Sequence, residues 1–140
     1  MDLKVTAYEN FPRQAMDIRT EVFIEEQGFH DEFDETDETA VHFVMYDGEI
    51  PVATCRVFWS DEKNSFCLGR LAVIRAYRGK QLGARMVEEA GAFVKKRGGK
   101  GLILHAQCAA KAFYEKCGYE EFGEVEEEQG CPHIWMRKVF

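Results

Sequence analysis

The sequence predicts a single mixed α/β domain over residues 1–140, a mostly antiparallel sheet flanked by helices, with elements in the order β-α-β-β-β-α-β-α-β-β. Three observations lead there. Period-2 apolar runs alternate with stretches of 3.6-residue periodicity, Asp47-Gly48 separates two β-rich runs as a hairpin turn would, and 140 residues with 46% apolar content suit one core and leave two domains cramped.

Leu3, Val5 and Ala7 alternate with Lys4, Thr6 and Tyr8, as in a half-buried strand. From Pro12, a residue suited to a first helical turn, Ala15, Ile18, Val22 and Phe23 mark one helical face that ends near Gln27-Gly28. Asp31 to Glu38 crowds like charges into eight residues and reads as an exposed loop or loose helical turn. Val41–Tyr46, Val52–Trp59 and Phe66–Val73 form a three-stranded meander, with a turn at 60–65. Leu82, Met86, Val87, Ala90, Phe93 and Val94 then recur at helical spacing, predicting a helix from about Gln81 to Arg97 that stops at Gly98-Gly99. A strand at Leu102–Ala106, a short helix at Ala109–Cys117 ended by Gly118, and strands at Tyr119–Glu126 and His133–Val139 about Gln129-Gly130 complete the chain.

Composition narrows the function classes. The net charge of −7 disfavours nucleic acid as a partner. It hides a split between an acidic first half and a net basic second half. Cys55, Cys67, Cys108, Cys117 and Cys131 are odd in number and form no C-x-x-C pair, so free thiols are expected, with neither a disulfide scaffold nor a metal site. No run of about 18 apolar residues spans a membrane, and the first residues lack a signal-peptide profile, so a soluble cytoplasmic protein is expected.

The stretch from Leu68 to Lys96 carries the main functional signal. An apolar strand feeds a basic, glycine-containing turn (Arg78, Gly79, Lys80, Gln81, Leu82, Gly83, Ala84) that opens a helix. The first N–H groups of a helix have no partner inside it and the helix dipole favours negative charge there, so the turn is a candidate phosphate site. No G-x-x-x-x-G-K-[ST] pattern is present, which excludes a P-loop.

The run LAV-x4-RG-x3-G, followed by a strand and then AFYEKCGY, resembles the GNAT superfamily of acyl-CoA-dependent N-acyltransferases. EVFIEEQG, HAQ, FYEKCGY and EEEQGCPHIWM look more narrowly like the ElaA/YjcF-type branch, and the signatures span nearly the whole chain in order. The resemblance implies a GNAT-like domain in which Leu71, Ala72 and Val73 pair with the pantetheine arm of acetyl-CoA and the turn from Arg78 to Ala84 holds its pyrophosphate. The family usually has glycine where this chain has Gln81, whose expected conformation is helical with its N–H free.

The implied chemistry is transfer of an acetyl group from the thioester to a primary amine of a small molecule or peptide, by direct attack in a ternary complex. A backbone N–H near Leu71–Val73 would meet the thioester oxygen. Tyr114 matches the family tyrosine that protonates the leaving thiolate; a phenol with an ordinary pKa of about 10 carries that proton at neutral pH. The base stays open among Glu26, His42, His105 and His133, with Glu26 and His133 leading, because the central strand begins Cys67-Leu68-Gly69-Arg70 without a carboxylate. The acidic segment from Asp31 to Glu38 could attract a cationic amine. A non-catalytic acyl-CoA-binding module on the same fold is the alternative reading, and exposed strands at the C-terminal end allow a homodimer.

Overall fold

A computed structural model describes residues 1–30 and 32–140. Seven strands form one sheet in the order β1-β2-β3-β4-β5-β7-β6. β1 (Leu3–Tyr8), β2 (Val41–Asp47), β3 (Ile50–Ser60) and β4 (Ser65–Val73) make the antiparallel half. β5 (Gly101–Gln107) joins β4 in the sheet's parallel pairing, and β7 (Cys131–Val139) lies antiparallel between β5 and β6 (Glu120–Glu128). The element order expected from the sequence is the one observed, apart from a one-turn helix, α2 (Thr36–Thr39), within the acidic segment.

Side-chain alternation divides the core between the two faces of the sheet. On one face Phe43, Met45, Val57, Leu68, Leu104 and Met136 receive α3 (Leu82–Lys96), which inserts Leu82, Met86, Val87, Ala90 and Val94. Burying each of the larger apolar side chains contributes about 1.5–3 kcal/mol. On the other face Val44 and Ala72 pack against Ala15 and Ile18 of α1 (Arg13–Arg19) and against Val22 and Phe23, which lie in wider π-helical turns at Thr20–Glu26. Where β5 and β7 continue that second face, its residues His105, His133 and Trp135 line a cavity. All five cysteines are free thiols, with Cys55 and Cys67 buried.

Two backbone irregularities open the sheet. Along β3 and β4 the register runs Thr54↔Ala72 and then Arg56↔Gly69, so β4 carries an extra residue, and Arg70 sits there at φ +53°. Such a bulge bends its strand and interrupts the ladder. Beside it, β4 and β5 pair only at Phe66↔Leu102, Cys67↔Ile103 and Leu68↔Leu104. Beyond Leu68 the two parallel strands part, which leaves the β5-facing edge of Leu71–Val73 outside the ladder.

The acidic segment, expected as an exposed loop or loose helical turn, holds the helical turn α2 but is not exposed throughout. Glu32 and Asp37 are buried, at 4% and 3% exposure, because arginines from three elements neutralise them. Arg19 donates to Glu32 at 3.2 Å and to Asp37 at 2.7 Å. Arg56 reaches Asp34 at 2.6 Å and Asp37 at 2.8 Å, and Arg70 reaches Glu32 at 2.8 Å. A run of like charges is buried here because cations distant in sequence meet it, and such groups stay charged when paired and hydrogen-bonded. Asp31 lies outside the described residues.

Candidate active site

The parting of β4 and β5 leads into a cavity of about 510 Å³, of the size that small-molecule sites have. Gly69 and Leu71 of β4 and His105 and Gln107 of β5 lie along its floor, and Tyr114 of α4 (Lys111–Lys116) meets it at the fork. Phe29, Glu32 and Asp34 stand on one wall, and Glu128, Gln129 and His133 on the other. The two walls touch where the His30 N–H donates to Gln129 Oε1 at 2.9 Å, and the floor is tied to the segment before Phe29 where Gln107 Nε2 donates to Gln27 Oε1 at 3.0 Å.

At one end of the fork lies the basic turn. Gly79 adopts φ +78° and Gln81 adopts φ +62°, ψ +22°. This corrects the helical conformation expected of Gln81. The turn needs a left-handed residue just before α3, a conformation open to glycine at little cost and carrying a penalty for side chains with a Cβ. The first helical bond at this end is Arg85 N–H to Gln81 O at 3.2 Å, so the N–H groups of Leu82, Gly83 and Ala84 precede it. Gly83 lies against Phe113; a Cβ there would come within 3.3 Å of the ring. Arg78 folds back along the turn, donating from Nε to the Val73 carbonyl at 2.9 Å.

Glu26 belongs to this turn. Its carboxylate receives Arg78 Nη1 at 2.6 Å and Nη2 at 2.8 Å, and these hydrogen bonds hold its pKa below the usual carboxylate range. It is also absent from the cavity lining, so the geometry speaks against the base role considered for Glu26. His42 is likewise apart: it is fully buried, stacks on Phe11 and bonds through Nε2 to the Asp37 carbonyl.

His105 and His133 do meet in the cavity, with ring centroids 5.0 Å apart. The Cys131 carbonyl, 2.8 Å from His133 Nδ1, can only accept, so Nδ1 carries the proton and neutral His133 presents the lone pair of Nε2. That nitrogen faces Glu128 Oε2 at 3.7 Å, in a side chain only 8% exposed. The same Glu128 oxygen lies 3.3 Å from His105 Nδ1, while His105 stacks on Trp135 at 4.5 Å. Burial holds the His105 pKa below the ordinary histidine value against the upward pull of Glu128.

Tyr114 contacts Phe113 and Tyr119 edge-on, and burial pushes its phenol well above the ordinary value, so it keeps its proton. Leu71, Ala72 and Val73 occupy the parted edge, with Ala72 buried toward α1. Among the described residues no group of three or more His, Cys, Asp or Glu side chains could hold a metal ion, and no helix is long and apolar enough to cross a membrane.

Sequence reasoning did not single out Glu128 or the β4 bulge. Glu128 could have been found from the Gln129-Gly130 hairpin, since alternation places Glu126 and Glu128 on the face of β6 that carries His133 on β7. The bulge leaves no comparable sign, because Arg70 at positive φ is an unusual residue for the position.

Comparison with known proteins agrees with this architecture. Residues 8–140 match the acetyltransferase (GNAT) domain family. The uncharacterised N-acetyltransferase YjcF of Bacillus subtilis is 34% identical over 129 residues, covering 90% of this chain and 91% of its own. The crystal structure of Escherichia coli ElaA superposes with a TM-score of 0.86 at 25% identity, covering 97% of this chain and 99% of that one. An acyl-CoA N-acyltransferase from Pseudomonas aeruginosa also gives a TM-score of 0.86 at 25% identity, over 98% of this chain and 99% of that one. This chain belongs to the GNAT acetyltransferase family.

Proposed function

We propose that this enzyme transfers the acetyl group of acetyl-CoA to a primary amine by direct attack within a ternary complex. The observation that carries the reading is the meeting, at one fork between β4 and β5, of an unpaired strand edge, a basic helix-opening turn, a partly buried tyrosine and a histidine–glutamate pair. Leu71, Ala72 and Val73 would take the pantetheine arm as an added strand, and the turn comprising Arg78, Gly79, Lys80, Gln81, Leu82, Gly83 and Ala84 would take the pyrophosphate on its N–H groups and cationic side chains. Engaging Arg78 then means exchanging its Glu26 partner for phosphate oxygens.

The acceptor lies on the cavity floor beside His133. Its amine nitrogen forms a bond to the thioester carbonyl carbon, and a backbone N–H at Leu71–Val73 stabilises the oxygen charge that develops. His133 Nε2 takes the surplus proton of the new ammonium, and Glu128 stabilises the imidazolium. The carbon–sulfur bond then breaks and Tyr114 gives its proton to the departing sulfur, leaving an amide and CoA thiol. No protein nucleophile is required.

The test is thiol release from acetyl-CoA across a panel of primary amines, with acetylated product identified by mass spectrometry. Amine-dependent release with single-step kinetics in both substrates supports the reading. CoA binding with no amine-dependent release would overturn it.

A further inference from the structure

Resting on that reading, we infer that Tyr77 is a positioning residue for the pyrophosphate turn: its hydroxyl, bonded to Asp47 at the end of β2, fixes where the free N–H groups of the turn and the Lys80 ammonium stand, and so sets affinity for the nucleotide part of acetyl-CoA. The inference starts from how little else holds the turn. Among the described residues the N–H groups of Gly79, Lys80 and Gln81 donate to no backbone carbonyl. Gly79 and Gln81 both stand at positive φ, and a Cβ built on Gly79 would meet nothing within 4 Å. The pair between Arg78 and Glu26 anchors the empty turn, but it is given up when Arg78 turns to phosphate oxygens.

The contact of Tyr77 with Asp47 survives that exchange. Tyr77 ends the single 3-10 turn Arg75–Tyr77, immediately before Arg78, and its ring packs against the core under α3. Its hydroxyl donates to Asp47 Oδ2 at 2.7 Å. Asp47 is a fixed post: it pairs with Leu3 and with Ile50 in the sheet, and its Oδ1 accepts the Asp2 N–H at 2.9 Å. The tyrosine hydrogen bond holds the Asp47 carboxyl below the ordinary carboxylate range, and the same bond pushes the phenol up, so at neutral pH a protonated phenol donates to a charged acceptor.

The same ring carries the lysine of the turn. Lys80 Nζ lies 5.4 Å from the Tyr77 ring centroid, within the range of a cation–π contact. Tyr77 therefore orders the backbone donors through its hydroxyl and the cationic side chain through its face. A turn held in its binding shape loses less freedom when the ligand arrives. Tyr77 does not line the cavity, so its influence stops at the nucleotide end and leaves the acceptor and the thioester alone.

The experiment measures the Kd for CoA by calorimetry and steady-state kinetics with acetyl-CoA and with S-acetylpantetheine, which has no pyrophosphate, using the whole chain. Tyr77→Phe keeps the ring and the Lys80 contact and loses only the bond to Asp47. The Kd for CoA should rise about three- to tenfold, the size of one net hydrogen bond, with kcat unchanged and kcat/KM for S-acetylpantetheine unchanged. Adding Tyr77→Phe to Asp47→Ala should weaken CoA binding no further than Asp47→Ala alone. Asp47→Asn, which keeps an oxygen for the hydroxyl, should hold wild-type affinity or better. A lowered Tm with an unmoved Kd in Tyr77→Phe, or equal losses with both acetyl donors, overturns the inference while acetyl transfer stands. Failure of the unsubstituted chain to bind CoA would instead remove both.

Discussion

Arg78 and Glu26 form a two-pronged pair, with Nη1 and Nη2 at 2.6 and 2.8 Å from the two carboxylate oxygens, at the turn proposed to hold the pyrophosphate. The fork geometry that suits a carboxylate also suits phosphate oxygens, so Glu26 occupies an anion site. Glu26→Gln should lower the Kd for CoA by about three- to tenfold, since a competing charge–charge bond is replaced by a neutral one. Calorimetry checks this. A large loss of kcat in the variant, with CoA binding intact, would restore Glu26 as a candidate base.

Tyr114→Phe removes one hydroxyl from a partly buried ring that packs on Phe113 and Tyr119. Loss of a general acid lowers kcat by about 100-fold or more. The KM for acetyl-CoA should hold, because the ring remains. Steady-state kinetics decide, and full kcat in the variant would sink the assignment.

Burial holds the His105 pKa below the ordinary histidine value against the upward pull of Glu128, whose Oε2 also lies 3.7 Å from His133 Nε2. The base proposed at His133 gains a proton as the amine attacks, and a nearby carboxylate stabilises the cation that forms. Glu128→Gln removes that stabiliser and should lower kcat by about tenfold or more, read by steady-state kinetics. An unchanged kcat would separate Glu128 from the base.

Asp37 anchors the buried arginine cluster, bonded to both Arg19 and Arg56. Asp37→Asn leaves Arg19 with Glu32 and Arg56 with Asp34 as remaining anionic partners and should cost about 1–3 kcal/mol, measured by denaturant unfolding. The arginine and backbone hydrogen bonds outweigh burial and bring its pKa down to about 2. A depressed carboxylate contributes stability above its unfolded pKa of about 4, and that contribution is lost as pH falls toward 2. Glu32, pushed up by burial, acts in the opposite sense.

Gln81 holds a left-handed backbone that glycine adopts without a Cβ penalty. Gln81→Gly should raise stability by up to about 1 kcal/mol, the left-handed cost less the entropy that glycine loses on folding. CoA affinity should not fall, because the backbone N–H groups are unchanged. Thermal unfolding and calorimetry test the two parts.

Much of the fold was legible because the relevant information is local. Alternation identifies Leu3–Tyr8 as a strand, 3.6-residue spacing identifies the helix carrying Leu82 to Val94, and Asp47-Gly48 and Gln129-Gly130 mark hairpins. The turn at Arg78–Ala84, proposed to take an anion, was legible as a helix start for the same reason, since a helix start exposes its own N–H groups. Gln81 was read too simply. Its side chain tolerates helical φ/ψ, but the chain direction between Gly79 and α3 imposes a left-handed residue.

The sequence by itself determined element order, the approximate bounds of the strands and helices, the glycine-containing basic turn that opens a helix, and the residue types from which a base could come. Only the tertiary structure decided which of those groups share a site. It buried Glu32 and Asp37 by bringing Arg19, Arg56 and Arg70 to them, drew Glu26 onto Arg78, and set Glu128 between His105 and His133. The physical reason is range. Backbone conformation follows from neighbours within one turn or one strand pair, whereas the charge state and role of a side chain follow from partners that register, bulge and packing bring in from distant parts of the chain.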